Sequence, residues 1–168
     1  EFNNRRRIGS ALSIMGLISL EAENPTTAMK YQEEALGIAR EENNKYLEAM
    51  ALNNLANTVG LSQGDFYTAL QYFDQAWSIS HELGNINGEA ITLLNLGWLG
   101  GILGDYPAAV QYCERALSIL RDLGLRSHEA NAYINLSAVM GAQGLADDAF
   151  KWAKAAFEIS TETGEQTG

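Results

Sequence analysis

This 168-residue sequence has few cysteines, few basic residues and no long apolar run. The single cysteine, Cys113, excludes an internal disulfide and a cysteine metal cluster, and it fits a reducing, cytoplasmic location. Acidic residues outnumber basic ones by 21 to 11, for a net charge of −10, so phosphate-rich partners would be repelled. No uncharged apolar run is long enough for a transmembrane helix, and we expect no signal peptide. The sequence therefore predicts neither a nucleic-acid partner nor a membrane partner.

Catalytic signals are also scarce. No Ser/His/Asp or metal-ligand spacing stands out, and the two histidines, His81 and His128, fall at predicted helix ends. Asp147 and Asp148 are typical of a helix start, and Cys113 is predicted to be a buried, inert thiol. We expect no enzyme activity, no cofactor and no metal site.

What the sequence does contain is an internal repeat. Two alanine columns recur at intervals of 41, 40 and 40 residues, and a large apolar residue followed by a small one recurs upstream of them. The columns are Ala28, Ala69, Ala109 and Ala149; Ala35, Ala76, Ala116 and Ala156; and Met15-Gly16, Leu55-Ala56, Leu96-Gly97 and Leu136-Ser137. Spacings of three, four and seven predict one apolar helix face, so each unit should hold two helices, A and then B.

Glycine and proline mark the ends of these helices. Helix A is predicted to stop at Gly64, Gly104 and Gly144, and helix B at Asn43, Gly84, Gly124 and Gly164. The only prolines, Pro25 and Pro107, fall near the start of helix B, where a missing N–H costs little.

The pattern resembles the tetratricopeptide repeat over nearly the whole chain, in four copies. The resemblance implies an all-α fold, a right-handed α-solenoid of four helix-turn-helix units. The expected units are about 8–44, 49–84, 89–124 and 129–164, in a single array over 1–168 that we expect to be excised from a longer protein. The 40-residue spacing is similar to that of kinesin light chains and of sensor arrays in bacterial signalling regulators.

In that family helix A lines the concave groove, and here the central parts of the A helices carry no Asp, Glu, Lys or Arg. The groove should thus be neutral, and it lacks the cations with which some family members grip a C-terminal carboxylate. The resemblance implies these peptide-binding candidates: Asn54, Asn57, Asn95, Trp98, Gly101, Asn131 and Asn135. For Trp98 a packing role is the alternative, and packing is the preferred interpretation of Trp77 and Trp152.

The stretch LLNLGWLGGILGDY, residues 93–106, contains glycines that the repeat does not explain. Gly97 belongs to the small-residue column, but Gly100 and Gly101 do not. Each costs roughly 1 kcal/mol against Ala inside a helix. Either packing offsets that cost, or Gly101 leaves a hollow beside Trp98, flanked by Asn95 and Asn135 and widened by Gly141.

The predicted function is a protein-interaction scaffold that holds a peptide or partner segment in its groove. The alternative is the sensor arm of a multidomain signalling NTPase or transcription regulator that binds a small effector, and a third reading is a structural self-assembly segment. Both ends of the chain align with repeat boundaries, so we also expect exposed apolar end faces and end-to-end self-association.

Overall fold

The computed structural model describes residues 2–165, and over that range the chain forms eight α-helices and no strand. The helices are α1 Phe2–Glu21, α2 Pro25–Glu41, α3 Lys45–Gln63, α4 Phe66–Glu82, α5 Ile86–Leu103, α6 Tyr106–Asp122, α7 Arg126–Ala142 and α8 Ala146–Glu165. Odd-numbered helices are the predicted A helices and even-numbered ones the B helices, so the all-α repeat architecture is confirmed. Among these helices, none combines the length and hydropathy that a bilayer crossing requires.

The predicted stops lie in the left-handed backbone region at all but one position. Gly64, Gly104 and Gly144 end the A helices with φ of 66°, 79° and 77°. The first hairpin has no glycine there, and Glu23 takes the left-handed conformation itself, with φ of 56°. The prediction that Gly164 ends the last B helix is wrong, because α8 continues through it to Glu165.

Side-chain caps fix several helix starts, although α7 has none. Asn24 and Asp65 each accept a hydrogen bond from the backbone N–H three residues on, at 3.2 and 3.1 Å. The bonds from Thr68 also lower the pKa of Asp65 below its ordinary value. Asn44 caps α3 in the same way, so α3 begins at Lys45 rather than near residue 49. The A helices α5 and α7 likewise begin three residues before the expected unit starts at 89 and 129.

The chain divides into two compact units, Glu1–Gly88 and Glu89–Gly168. In the first unit α1 packs against α2 and α3, α2 also packs against α3, and α3 packs against α4. Its core contains Leu12, Ala35, Leu36, Ala51, Leu52, Leu55 and Ala76, with Tyr31, Ile38, Tyr72 and Ile79 packed at its edge. In the second unit α6 packs against α7 and α7 against α8.

Small residues allow paired helices to approach closely. A Cβ placed on Gly97 of α5 would overlap Sγ of Cys113 on α6 and lie 3.3 Å from the carbonyl oxygen of Ala109. Ala109 and Ala116 are fully buried on the facing helix. Gly97 and Ala109, which belong to two of the small-residue columns, therefore lie where α5 touches α6.

Three glutamates at equivalent positions in the first turn of α3, α5 and α7 form ion pairs that the sequence analysis did not anticipate. Glu48 is 7 % exposed, and it accepts hydrogen bonds from Arg40 Nε at 3.1 Å and Lys45 Nζ at 2.7 Å. Glu129 is 2 % exposed and pairs with Arg126 at 2.9 Å. Arg40 closes α2 while Glu48 opens α3, so this pair joins consecutive repeats.

We predict that Gly97→Leu and Ala116→Leu each lower the free energy of unfolding by about 1–3 kcal/mol or more, because Gly97 lies against α6 and Ala116 is fully buried, so both overpack the core. Thermal or urea melts would measure the loss. Gly37→Ala is the matched control, since Gly37 lies in α2 with no atom within 4 Å of an added Cβ. It should raise stability by up to about 1 kcal/mol. Unchanged melts for both leucine variants would contradict the packing described.

The ion pairs of Glu48 should make the free energy of unfolding depend on pH in the acidic range. Burial would raise the pKa of Glu48, but the bonds from Lys45 and Arg40 outweigh it and hold the pKa below 4.5. The stabilisation is therefore present above the unfolded pKa and is lost as pH falls through the lower folded pKa. At pH 7, the free energy of unfolding of Glu48→Gln should be about 1–3 kcal/mol lower than that of the unmodified chain. In urea titrations that difference should shrink below about pH 4, whereas Glu34→Gln, at an exposed site, should change little at any pH. A difference for Glu48→Gln that is independent of pH would contradict this account.

Candidate peptide-binding groove

Helix α5 turns an uncharged face toward a hollow. Trp98, Gly101 and Ile102 lie three and four residues apart, which places them on one side of the helix. Asn135, Ala138 and Val139 repeat the same spacing on α7. These six residues line a hollow of about 180 Å³, which we call the Trp98 pocket. No charged side chain lines it.

The two adjacent glycines of α5 have different surroundings. A Cβ on Gly100 would lie 3.2–3.3 Å from the backbone N, Cα and Cβ of Ala109, so a side chain at this position would crowd the backbone of α6. A Cβ on Gly101 would meet only the Cγ2 methyl of Val139, at 3.1 Å. Gly101 therefore opens onto the Trp98 pocket. Of the two explanations for these glycines, packing applies to Gly100 and a hollow beside Trp98 applies to Gly101.

Asn135 holds the two walls of the pocket together. Its Nδ2 donates a hydrogen bond of 3.0 Å to the backbone oxygen of Leu94, which ties α7 to α5. Asn54 is the equivalent residue of α3, and its Nδ2 donates to Ser13 Oγ of α1 at 3.0 Å. Asn54 is 6 % exposed, so it links two helices below the surface.

The other predicted residues are more dispersed. Asn57 and Asn95 are half-buried on α3 and α5, and Asn131 is exposed on α7, but none of them lines the Trp98 pocket. The expectation that Asn95 flanks the pocket and Gly141 widens it is wrong. Gly141 is exposed, and a Cβ there would meet only Ala149 on α8, at 3.9 Å.

Sequence reasoning missed three lining residues, Ile102, Ala138 and Val139. A signal for Ala138 was available, since it occupies the same repeat position as Trp98 and Asn57. Val139 holds the position of Leu99, which is fully buried, and Ile102 lies one turn beyond Trp98. Repeat position alone does not tell which of these side chains borders a void.

Two further hollows contain none of the predicted residues. One of about 490 Å³ lies between α2 and the end of α3, and its lining includes both Lys30 and Glu33. Another of about 440 Å³ lies between α7 and α8 and is lined mainly by Ile134, Ala138, Ala153, Ala156 and Phe157. Of these three hollows in the described part of the chain, the Trp98 pocket is the one that brings several candidates together, namely Trp98, Gly101 and Asn135.

The single cysteine and two of the tryptophans, Trp77 and Trp152, are packed in the structure. Cys113 is buried, and burial raises the pKa of its thiol to about 12, although a hydrogen bond from Asn135 acts in the opposite direction. Trp77 stacks on His81 at 5.2 Å, and Trp152 stacks on Tyr133 at 5.4 Å. Within the described residues, no three His, Cys, Asp or Glu side chains group as metal ligands would.

The repeat architecture matches a known family. Residues 47–122 and 99–162 each match the tetratricopeptide repeat, so the two matches together run from 47 to 162. The chain belongs to the tetratricopeptide repeat family. Membership of this family supports a role as a protein-interaction scaffold. Among curated proteins, none matches the chain in sequence.

Solved structures share the fold. BtubC (BKLC) from P. vanneervenii is 24 % identical with a TM-score of 0.78, over 93 % of this chain and 64 % of its own. Aspartyl phosphate phosphatase F from Bacillus subtilis is 19 % identical with a TM-score of 0.82, over 95 % of this chain and 42 % of its own. MamA is 17 % identical with a TM-score of 0.64, over 94 % of this chain and 81 % of its own. This chain thus spans less than two thirds of the first two proteins.

We predict that Cys113 is unreactive in the folded protein. With a thiol pKa near 12, almost no thiolate exists at pH 8, and the sulfur is buried as well. Ellman's reagent should titrate less than a tenth of the thiol within minutes at pH 8, and the full thiol in 6 M guanidinium. Rapid labelling of the folded chain would contradict the burial of this side chain.

Proposed function

We propose that this tetratricopeptide array binds a peptide segment along its A helices and seats one apolar side chain of that peptide in the Trp98 pocket. The observation that carries the proposal is Gly101. It weakens α5 by roughly 1 kcal/mol relative to Ala, and no backbone contact requires it. A larger residue there would fill the pocket.

The size of the pocket fits a single side chain. An apolar protein cavity of about 150 Å³ is enough to bind benzene, and the Trp98 pocket measures about 180 Å³. A leucine or phenylalanine side chain therefore matches its volume. Trp98, Ile102 and Val139 supply apolar walls for such a residue.

Polar groups near the pocket suit a peptide backbone. The Trp98 side chain carries an indole N–H donor, and the amide of Asn131, exposed on α7, offers both a donor and an acceptor. Because no charged residue lines the pocket, the affinity should change little between 50 and 500 mM salt. Weak salt dependence would separate this binding mode from a charged carboxylate clamp.

Two substitutions test the pocket once peptides have been selected from a random library on the unmodified chain. Trp98→Ala should weaken their binding by about 2 kcal/mol, roughly thirtyfold, because it removes the anchor surface. Gly101→Leu should weaken binding by a similar factor, since its side chain would occupy the pocket. Isothermal titration calorimetry would give both affinities, and circular dichroism would confirm the fold.

Gly37→Leu is the matched control, because it adds the same side chain on α2 where space is open. It should bind the selected peptides as the unmodified chain does. Peptides without any apolar residue in common, or equal affinity for folded Gly101→Leu and the unmodified chain, would contradict the proposal. A selected small molecule that competes with no peptide would instead favour a sensor arm that binds a small effector.

A further inference from the structure

Asn135 brings a polar side chain to the wall of the Trp98 pocket, and its amide has a fixed orientation. Nδ2 faces the backbone oxygen of Leu94, which can only accept a hydrogen bond, so the donor end of the amide must point there. A further hydrogen bond from Asn135 reaches the thiol of Cys113 on α6. The N–H groups of the amide are therefore directed at neighbouring helices, and the acceptor Oδ1 is turned away from Leu94.

The Oδ1 atom of Asn135 accepts no hydrogen bond from the residues that the structure describes. Asn135 is half-buried and lines the pocket. Among the six lining residues its side chain is the one with an acceptor, since Trp98 carries only an N–H donor and the others are hydrocarbon or glycine. Because Nδ2 is held at Leu94, the part of the amide that an occupant of the pocket can meet is Oδ1.

This acceptor lies at one end of the pocket. Asn135 of α7 meets α5 at Leu94, whereas Val139 of α7 approaches α5 at Gly101, 3.1 Å from the position of an added Cβ. The two contacts advance in the same direction along both helices. The pocket therefore runs from a polar end at Asn135 to an apolar end at Gly101 and Val139, and it fits an apolar body that carries one hydrogen-bond donor.

The volume of the pocket suits a phenol. A cavity of about 150 Å³ binds benzene, and a water molecule takes up about 30 Å³ in the liquid. The Trp98 pocket, at about 180 Å³, has room for an aromatic ring and one hydroxyl. A leucine or phenylalanine side chain would also fill the space, but it would cover Oδ1 with hydrocarbon, and a buried acceptor without a partner is unfavourable.

We propose that the side chain seated in the Trp98 pocket is a tyrosine, whose hydroxyl donates a hydrogen bond to Oδ1 of Asn135. This inference rests on the peptide binding proposed above and names the residue that the pocket selects, with Asn135 as the residue that determines specificity. Phosphorylation of that tyrosine prevents binding. The phosphate replaces the donor with a charge of about −1.5 to −2, and none of the six lining residues is a cation.

Free p-cresol and toluene, which correspond to the tyrosine and phenylalanine side chains, test the pocket without a peptide. In NMR titrations of the unmodified chain, p-cresol should shift the side-chain amide of Asn135 and the indole N–H of Trp98. Its Kd should be at least about fivefold below that of toluene. Toluene is the more hydrophobic of the two, so this order cannot come from apolar burial alone. 4-Methylphenyl phosphate should shift neither group.

Asn135→Leu removes the acceptor, so toluene should then bind at least as tightly as p-cresol. Asn87→Leu is the matched control, because Asn87 is exposed on α5 and lies outside the pocket, and it should keep the preference for p-cresol. If circular dichroism shows that Asn135→Leu does not fold, the comparison on the unmodified chain still decides. Equal or tighter binding of toluene to that chain, or p-cresol shifts confined to other hollows, would overturn the proposal.

The peptides selected from a random library separate this inference from the proposed function. A shared tyrosine, with at least about a fivefold loss of affinity when phenylalanine replaces it, would support both. A shared leucine or phenylalanine would leave peptide binding in place and overturn the choice of tyrosine. A preference for p-cresol in a chain that selects no peptide would support the pocket chemistry and contradict the peptide groove.

Discussion

The close approach of each helix A to its helix B is the contact on which the other features depend. Gly97 and Gly100 of α5 bring its backbone against Cys113 and Ala109 of α6, with no room for even a methyl group at Gly97. This contact uses one side of α5 for packing, and the side that carries Trp98, Gly101 and Ile102 lies elsewhere around the helix and is free of it. Since the free side carries no charge, its shape rather than its electrostatics determines what can bind there.

Polar side chains set the register between successive hairpins. Asn54, Ser13 and Gln32 form a buried network in the first compact unit, in which Gln32 Nε2 donates to the Ser13 carbonyl at 2.9 Å and Ser13 Oγ donates to Gln32 Oε1 at 3.2 Å. The buried glutamates act at the helix starts, where Glu48 joins the end of α2 to the start of α3. A slip of one helical turn would leave these groups buried without partners, and each would then cost about 1–3 kcal/mol. Apolar packing alone would tolerate such slips more readily.

The sequence was sufficient to predict the helices, their order and most of their ends, because turn glycines, prolines and alanine spacing are local signals. It was insufficient where the outcome depends on a neighbouring helix. Asn54 and Asn131 both belong to predicted groove helices, yet one is buried and the other exposed. Glu23 adopts a positive φ without being glycine, and Gly164 lies within α8, so residue type alone does not decide where a helix ends.

The two neighbouring glycines of α5 show why the pocket depends on packing elsewhere. A helix with glycine at 97, 100 and 101 loses roughly 3 kcal/mol of intrinsic helix preference relative to alanine, so it needs tertiary contacts to form. Gly97 and Gly100 supply these contacts through α6, while Gly101 contributes none beyond the Val139 methyl. A hollow beside Gly101 would normally be lost if α7 moved inward, since empty apolar space is unfavourable. The Asn135 hydrogen bond to Leu94 ties α7 to α5 at this level. The packing of α5 on α6 therefore offsets the helix preference that the glycines lose. An occupant that buries the hollow would gain the packing energy that the free chain lacks.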